Sequence, residues 1–136
     1  AGKLEQAEPL TAEEPNKFVS EKYLYRIFNG NKEHVAELLG QLIIQYKSEI
    51  ERLGKQIETV DITGAKRTIH SMKTTVSSVK RSSPLMQHLL AMENTSGDES
   101  GWNIIRYNYD ILVKTMDELI GEAKQIINKK ENSEGK

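Results

Sequence analysis

The chain has no cysteine, only three prolines and no excess of charge of either sign, and each absence excludes a class of protein. Without cysteine there is neither a disulfide framework nor a thiolate metal site, which suits a cytosolic chain. The formal net charge of −1 gives little electrostatic support to nucleic-acid or membrane binding. No apolar run approaches the length of a membrane span, and no secretory signal pattern is present. We therefore expect a cytoplasmic protein that contacts neither nucleic acid nor membrane.

The length and composition favour one small helical domain with polar ends. The chain has 136 residues, of which 37% are hydrophobic and 29% are charged. Residues 1–16 and 129–136 are polar and show little periodicity, so we predict two tails that flank a domain at 17–128. Because the chain begins with Ala1, we expect it to be excised from a longer protein such as a sensor kinase, and a free-standing protein is the alternative.

Between the predicted tails, apolar residues recur every three or four positions, which is the period of a helix. The stripe of the longest segment consists of Ala36, Leu39, Ile43, Tyr46, Ile50, Leu53 and Ile57. Typical N-cap residues precede three segments: Ser20, Asn31 and Asp61. We expect a loop at 94–101 and a last helix from about Trp102 to Asn128. The pattern predicts an all-α fold, an antiparallel up-and-down four-helix bundle with a short extra N-terminal helix.

One histidine lies in the middle of a predicted helix, in the segment TIHSMKTTVSSVK. The apolar stripe of this helix consists of Ile62, Ala65, Ile69, Met72, Val76 and Val79. At about 100° per residue, His70 falls roughly 130° from the centre of that stripe, so it should face solvent. Lys66, four residues before it, and Lys73, three after it, lie on the same side of the helix. Three small polar residues share this side: Thr63, Thr74 and Ser77.

This environment suits an imidazole that acts as a nucleophile. A neutral imidazole can attack a phosphoryl group, and Lys73 and Lys66 could offset the negative charge of the product. The small neighbours leave room for a partner protein. Ile44 falls outside the apolar stripe and is either a hydrophobic contact for the partner or a residue covered by the N-terminal arm or the first helix. The plain alternative is that His70 is an ordinary surface histidine.

The segment from His70 to Lys73, within IHSMKTTVSSV, resembles the signature of histidine-containing phosphotransfer (HPt) domains. In that family an apolar residue precedes the histidine, another follows two positions later, and a lysine follows three positions later. Ile69, Met72 and Lys73 fit these positions. The upstream stretch YLYRIFNGNKEHVAELLGQLIIQY is similar to the family's entry segment, so the resemblance covers about residues 18–128.

The resemblance implies a multistep phosphorelay of two-component signal transduction. His70 would accept a phosphoryl group from a receiver-domain aspartate and pass it to another receiver, while Lys73 and Lys66 steady the charge. The implied partners are response-regulator receiver domains, bound transiently, and a parent hybrid sensor histidine kinase. The family needs no cofactor or metal of its own, so the chain would be a monomeric phosphoryl carrier rather than a self-sufficient enzyme.

Two positions depart from the family pattern. Thr74 stands where the family usually has a glycine that lets a partner approach closely, and Lys80 stands where it often has another. Family members also often direct a polar side chain at the imidazole from the next helix. Gln87 and Glu93 are the candidates here, and their spacing alone does not place either of them.

Other functions have weaker support in the sequence. An HPt-like helical interaction module without phosphotransfer activity is the first alternative, and Thr74 and Lys80 favour it. A helical fragment that serves kinase dimerisation is the second. His34 and His88 share no metal-ligand spacing with His70, so we expect no metal site.

Overall fold

The computed structural model describes the backbone of residues 16–134 and the side chains of residues 16–129. All regular secondary structure in this part is helical, and five helices follow one another along the chain. They are α1 (Glu21–Ile27), α2 (Lys32–Glu58), α3 (Ile62–Ser77), α4 (Leu85–Glu93) and α5 (Glu99–Glu134). Most of the N-terminal tail predicted at 1–16 therefore lies outside the described residues.

The helices pack into a bundle around one apolar core. Helix α2 packs against α3 and α5, α3 packs against α4, and α4 packs against α5, while α1 contacts α2. The largest fully buried side chains come from all five helices and include Leu24, Tyr46, Met72, Leu89 and Leu112. Burial of one such side chain stabilises the fold by about 1.5–3 kcal/mol. The predicted all-helical bundle is confirmed at this level.

The first three helices begin at the caps that the sequence predicts. The side chains of Ser20, Asn31 and Asp61 accept hydrogen bonds from the backbone N–H groups three residues later, at 3.1, 3.0 and 2.9 Å. Each bond satisfies one of the four N–H groups that have no partner at a helix start. Between α1 and α2 the backbone turns through Asn29 and Gly30, which have φ of 53° and 76°. Asparagine and glycine adopt this left-handed conformation most readily.

The segment before α1 is held mainly by the Glu122 carboxylate on α5. Glu122 accepts hydrogen bonds from the backbone N–H groups of Lys17, Phe18 and Val19 at 2.9, 2.8 and 3.0 Å. The backbone N–H of Ser20 then donates to the carbonyl of Val79 at 2.8 Å. Because Phe18 and Val19 are buried, this segment completes the core rather than trailing from it.

Helix α5 is longer at both ends than the sequence suggests. It begins at Glu99 instead of about Trp102, because the Asp98 carboxylate accepts the N–H of Gly101 at 2.8 Å and caps a stretch that reads as a loop. It continues to Glu134, so the predicted polar tail at 129–136 is helical over most of its length. No glycine or proline interrupts 129–134, and adding a residue to an existing helix is far easier than nucleating a new one.

Three predicted core residues of α2 are less buried than expected. Ala36, Ile43 and Ile57 are only half-buried, whereas Val35 and Leu42 are buried. The buried face of the helix thus extends past the stripe to Val35 and Leu42, as expected for a helix that packs on two neighbours, α3 and α5.

Candidate functional site

His70 lies in the middle of α3 and faces solvent, as the helical wheel predicts. Its side chain is 72% exposed, whereas Ile69 and Met72 on the other face of α3 are fully buried. The histidine is therefore presented by a rigid helix whose opposite side is anchored in the core. A protein partner could reach the imidazole without any rearrangement of the bundle.

A carboxylate from the neighbouring helix orients the imidazole. Glu93, the last residue of α4, places Oε2 3.1 Å from Nδ1 of His70. An ionised carboxylate can only accept a hydrogen bond, so Nδ1 carries the proton in this contact. In the neutral ring the lone pair then resides on Nε2, which has no hydrogen-bond partner within residues 16–129. In this tautomer Nε2 is the ring nitrogen that is available to attack an electrophile.

Lys73 binds the other oxygen of the same carboxylate. Its Nζ lies 2.6 Å from Oε1 of Glu93, and the two side chains are only 22% and 25% exposed. The hydrogen bond from Lys73, and after it the one from His70, holds the pKa of the Glu93 carboxyl below its usual range. Glu93 therefore stays ionised between the Lys73 ammonium and the imidazole.

Lys66 also reaches Glu93, but at its backbone. Its Nζ donates to the carbonyl of Glu93 at 2.8 Å and to the carbonyl of Thr95. The side chain is half-buried, and its ammonium group is directed at the end of α4. All three basic or titratable side chains that the sequence places on this side of α3 thus meet the same α4 residue.

The sequence named Glu93 and Gln87 as candidates to orient His70, and the structure selects Glu93. Gln87 is exposed on α4, whereas Glu93 bonds to the ring. A hairpin count could have found it, because His70 and Glu93 lie at similar distances along the chain from the link between α3 and α4. That count needs the two helices to be neighbours, which periodicity alone does not establish.

The predicted partner-binding residues lie at different places on the surface. Ile44 is 72% exposed, so α1 does not cover it, and the arm that includes Leu10 lies outside the described residues. Thr63 and Thr74 are exposed, and Ser77 is half-buried with its hydroxyl on the Thr74 carbonyl at 3.2 Å.

A surface groove between α2 and α3 brings two of these residues together. Ile44 lines one part of the groove and Thr74 lines the next, and Gln41 and Gln45 belong to both parts. The lining residues of the groove do not include Thr63. The groove passes Ser71, the residue that follows His70.

A buried acid beneath this groove was missed by the sequence analysis. Glu49 is 2% exposed, and its Oε2 accepts hydrogen bonds from Ser71 at 2.6 Å, Thr75 at 3.1 Å and Gln45 at 3.2 Å. Ser71 and Thr75 lie on α3, so their hydrogen bonds to Glu49 join α2 to α3 beside His70. Its position three residues after Tyr46, on the buried stripe, was the signal that could have revealed it.

The described part of the chain contains neither a cluster of metal-ligating side chains nor a helix that could span a membrane. Among these residues, no group of three or more histidine, aspartate or glutamate side chains converges as a metal site. None of the helices within 16–134 combines the length and apolarity needed to cross a bilayer.

No family model matches the chain, and comparisons with curated proteins and with solved structures found no match either. Its function is therefore inferred from the geometry around His70.

Proposed function

We propose that the chain is a histidine phosphotransfer module of a phosphorelay, with His70 as the phospho-accepting residue. The observation that carries the proposal is the solvent-exposed imidazole held at Nδ1 by Glu93, which leaves Nε2 as a free nucleophile. The resemblance of the sequence around His70 to HPt domains supports the same function. An ordinary surface histidine needs neither a carboxylate partner from another helix nor an adjacent lysine.

The proposed reaction needs no general base. The Nε2 lone pair attacks the phosphorus of an aspartyl phosphate, the N–P bond forms, and the bond from phosphorus to the aspartate oxygen breaks with its electrons. The aspartate leaves as a carboxylate, and the ring becomes a phosphorylated imidazolium that keeps its proton on Nδ1. Glu93 offsets this positive charge, and Lys73 steadies the phosphoryl oxygens. Transfer to a second receiver is the same step in reverse.

The wider proposal follows from this chemistry and from the resemblance. The fold would be an antiparallel up-and-down four-helix bundle, and the chain a cytoplasmic, monomeric phosphoryl carrier rather than a self-sufficient enzyme. It would need no nucleotide or metal of its own, since a receiver domain brings Mg²⁺. Receiver domains would dock transiently over an interface below about 1,200 Å² in total. A parent hybrid sensor kinase is a further proposed partner.

The α2–α3 groove fits the docking of a receiver. Ile44 offers exposed apolar surface, and Thr74 lies one turn after His70 on the same helix. A few well-placed apolar contacts supply much of the energy of a small interface. The proposed receiver would extend from this groove across α3 to His70, the residue before Ser71 in the groove lining.

Phosphoryl transfer from a labelled receiver tests the proposal directly. Wild-type chain mixed with a phosphorylated receiver should acquire label that is labile in acid and stable in base. His70→Gln should acquire none, whereas the matched variants His34→Gln and His88→Gln should be labelled normally. Absence of label on the wild type across several receivers, or persistent label on His70→Gln, would overturn the proposal.

A helical interaction module without phosphotransfer is the second candidate. Thr74 is exposed one turn after His70, so its methyl and hydroxyl groups occupy space that a receiver's active site would need. On this hypothesis a receiver or another protein binds the α2–α3 groove, Ile44→Asp abolishes binding, and His70→Gln changes nothing. Binding without label on the wild type would favour this candidate over the relay.

A further inference from the structure

Three side chains of α3 converge on Glu93, and they bind two different parts of it. His70 and Lys73 bind the carboxylate, at 3.1 and 2.6 Å. Lys66 instead binds the backbone carbonyl at 2.8 Å, and it also donates to the carbonyl of Thr95. The sequence predicted that Lys66 and Lys73 would share one task, whereas the geometry gives them different ones.

The contacts of Lys66 lie at the C-terminal end of α4, where a cation stabilises a helix most. The last carbonyl groups of a helix have no backbone partner within it, and the partial negative charge of the dipole concentrates there. Helix α4 ends at Glu93, and the chain leaves it through Asn94 and Thr95. The Lys66 ammonium satisfies two carbonyls at this end, so it fixes the last turn of α4 against α3.

The end of α4 is also fixed from within. Thr95 is buried, and its hydroxyl donates to the carbonyl of Met92 at 2.9 Å. Asn94 donates its backbone N–H to the carbonyl of Leu90 at 3.1 Å. The backbone of Glu93 is thereby held between internal bonds and Lys66. Any shift of this backbone moves the carboxylate that orients His70.

We propose that Lys66 is a positioning residue that sets the Glu93 carboxylate against His70 and does not bind the phosphoryl group. The inference rests on the proposed phosphotransfer function, but its geometric part can be tested without any transfer. The ammonium of Lys66 already bonds to two backbone carbonyls, whereas Lys73 bonds to a side-chain carboxylate next to the imidazole. Lys73 is therefore the lysine that serves the phosphoryl group.

The first test is NMR of the His70 ring nitrogens in the unphosphorylated chain. In the wild type we expect the Nδ1-protonated tautomer, since Glu93 accepts that proton. Lys66→Met removes the ammonium but keeps much of the length, and it should shift the ring toward a mixture of tautomers. Lys66→Arg should restore the wild-type signals, and Lys114→Met, at an exposed position on α5, should leave them unchanged. Wild-type ring signals in a folded Lys66→Met chain would overturn the inference.

The second test uses the wild-type chain and remains available if Lys66→Met does not fold. After phosphorylation of His70 with phosphoramidate, the ammonium signals of the lysines are compared before and after. The Lys73 signal should shift strongly because a phosphoryl oxygen approaches it. The chemical shift of the Lys66 ammonium should change little, because its carbonyl partners are unaltered. A Lys66 shift as large as that of Lys73 would mean direct phosphoryl contact and would contradict the inference.

Transfer kinetics separate this inference from the proposed function. Lys66→Met should slow labelling by roughly 10- to 100-fold, as expected when the partner of a reacting group loses its support. Combined with Glu93→Ala it should add little further slowing, because both changes remove the same orienting contact. Additive slowing would overturn the positioning role, whereas absence of transfer from the wild type, with the tautomer effect intact, would overturn only the phosphorelay.

Discussion

The described part of the chain contains two histidines with similar contacts and different surroundings. His70 on α3 places Nδ1 3.1 Å from the Glu93 carboxylate, and His88 on α4 places Nδ1 2.9 Å from the amide oxygen of Asn108. His70 is 72% exposed, whereas His88 is half-buried and its partner Asn108 is buried. Both rings thus make a hydrogen bond through Nδ1. Only the His70 ring is also exposed to solvent and bonded to a charged partner.

The partners of the two rings explain the difference. Asn108 also donates to the carbonyl of Ile104 on its own helix at 2.9 Å, and its bond to His88 joins α4 to α5. Glu93 instead carries a full negative charge and is joined by Lys73. A charged partner can stabilise the cationic ring that phosphorylation creates, and a neutral amide does so far less. The comparison therefore favours His70 over His88 as the proposed phospho-accepting residue.

The largest expected effect is at the histidines themselves. His70→Gln should abolish labelling by a phosphorylated receiver, because no other exposed imidazole in the described part of the chain has a carboxylate partner. His88→Gln should leave the labelling rate within about two-fold and lower the thermal midpoint instead, since a lost hydrogen bond typically costs about 0.5–1.5 kcal/mol. Gel autoradiography and thermal unfolding measure the two outcomes. Loss of label in both variants would contradict the proposed difference in role between His70 and His88.

The partners of the histidines should give the next largest effect. Glu93→Ala should slow transfer by roughly 10- to 100-fold, because the ring loses the contact that selects its tautomer. Glu93→Gln should fall between Glu93→Ala and the wild type, since an amide oxygen still accepts the Nδ1 proton. Rapid-quench kinetics give the rates.

The matched change on the other side is Asn108→Ala. It should destabilise the fold by about 0.5–1.5 kcal/mol, because the half-buried His88 ring loses its hydrogen-bond partner, and it should not slow transfer in the folded chain. Equal slowing by Glu93→Ala and Asn108→Ala would show that the two sites differ less than their geometry indicates.

The charge on Glu93 also predicts a pH dependence of stability. Because the folded state holds the pKa of Glu93 below its usual range, the stabilisation is complete above about pH 4.3, the pKa of a free glutamate. It is lost as the pH falls through the lower folded pKa. The difference in thermal midpoint between the wild type and Glu93→Gln should therefore shrink as the pH falls below about 4.

Two features make this measurement specific. The Gly101 N–H, and then the Ser96 side chain, lower the pKa of Asp98 in the same pH range, but Asp98 is present in both chains and its effect cancels. The difference between the wild type and Asn108→Ala should not change from pH 5 to pH 3, because an amide does not titrate. A difference for Glu93→Gln that grows toward low pH would contradict the assigned direction of the shift.

The smallest expected effect concerns the residue one turn after each histidine. Met92 follows His88 and is fully buried, whereas Thr74 follows His70 and is exposed, so only His70 has a neighbour that a partner would touch. Thr74→Gly should lower the free energy of unfolding by about 0.5 kcal/mol, the difference in helix propensity. It should raise the transfer rate, because the side chain no longer stands between the ring and a receiver. An unchanged rate would show that Thr74 does not limit access.

The sequence predicted much of the helical framework, for reasons that lie within single segments. Ser20, Asn31 and Asp61 are caps whose partners are three residues away, and the apolar stripes need only the period of a helix. The start of α5 was missed because Asp98 caps a stretch whose glycine and serine content resembles a loop. The helical extension over 129–134 was missed because the polar composition of these residues was taken to indicate a tail without helix.

Only the part of the candidate site that lies on the single helix α3 was predicted from the sequence. The positions of His70, Lys66 and Lys73 on one side of α3 follow from spacing. That Glu93 holds the ring, and that Lys66 binds carbonyls, depends on which residue of α4 faces them. The hydrogen-bond donors of Glu49 likewise could not be predicted, because Ser71 and Thr75 come from the neighbouring helix.

What the sequence by itself determined is thus a helix with an outward histidine and two lysines beside it, since spacing along 3.6 residues per turn is enough to establish that. What only the tertiary structure decided is the partner of each side chain. The packing of α4 on α3 gives the histidine a carboxylate, gives one lysine the other oxygen of that carboxylate, and gives the other lysine the end of a helix. Contacts between helices depend on distance in space, and the chain order of the residues does not contain that distance.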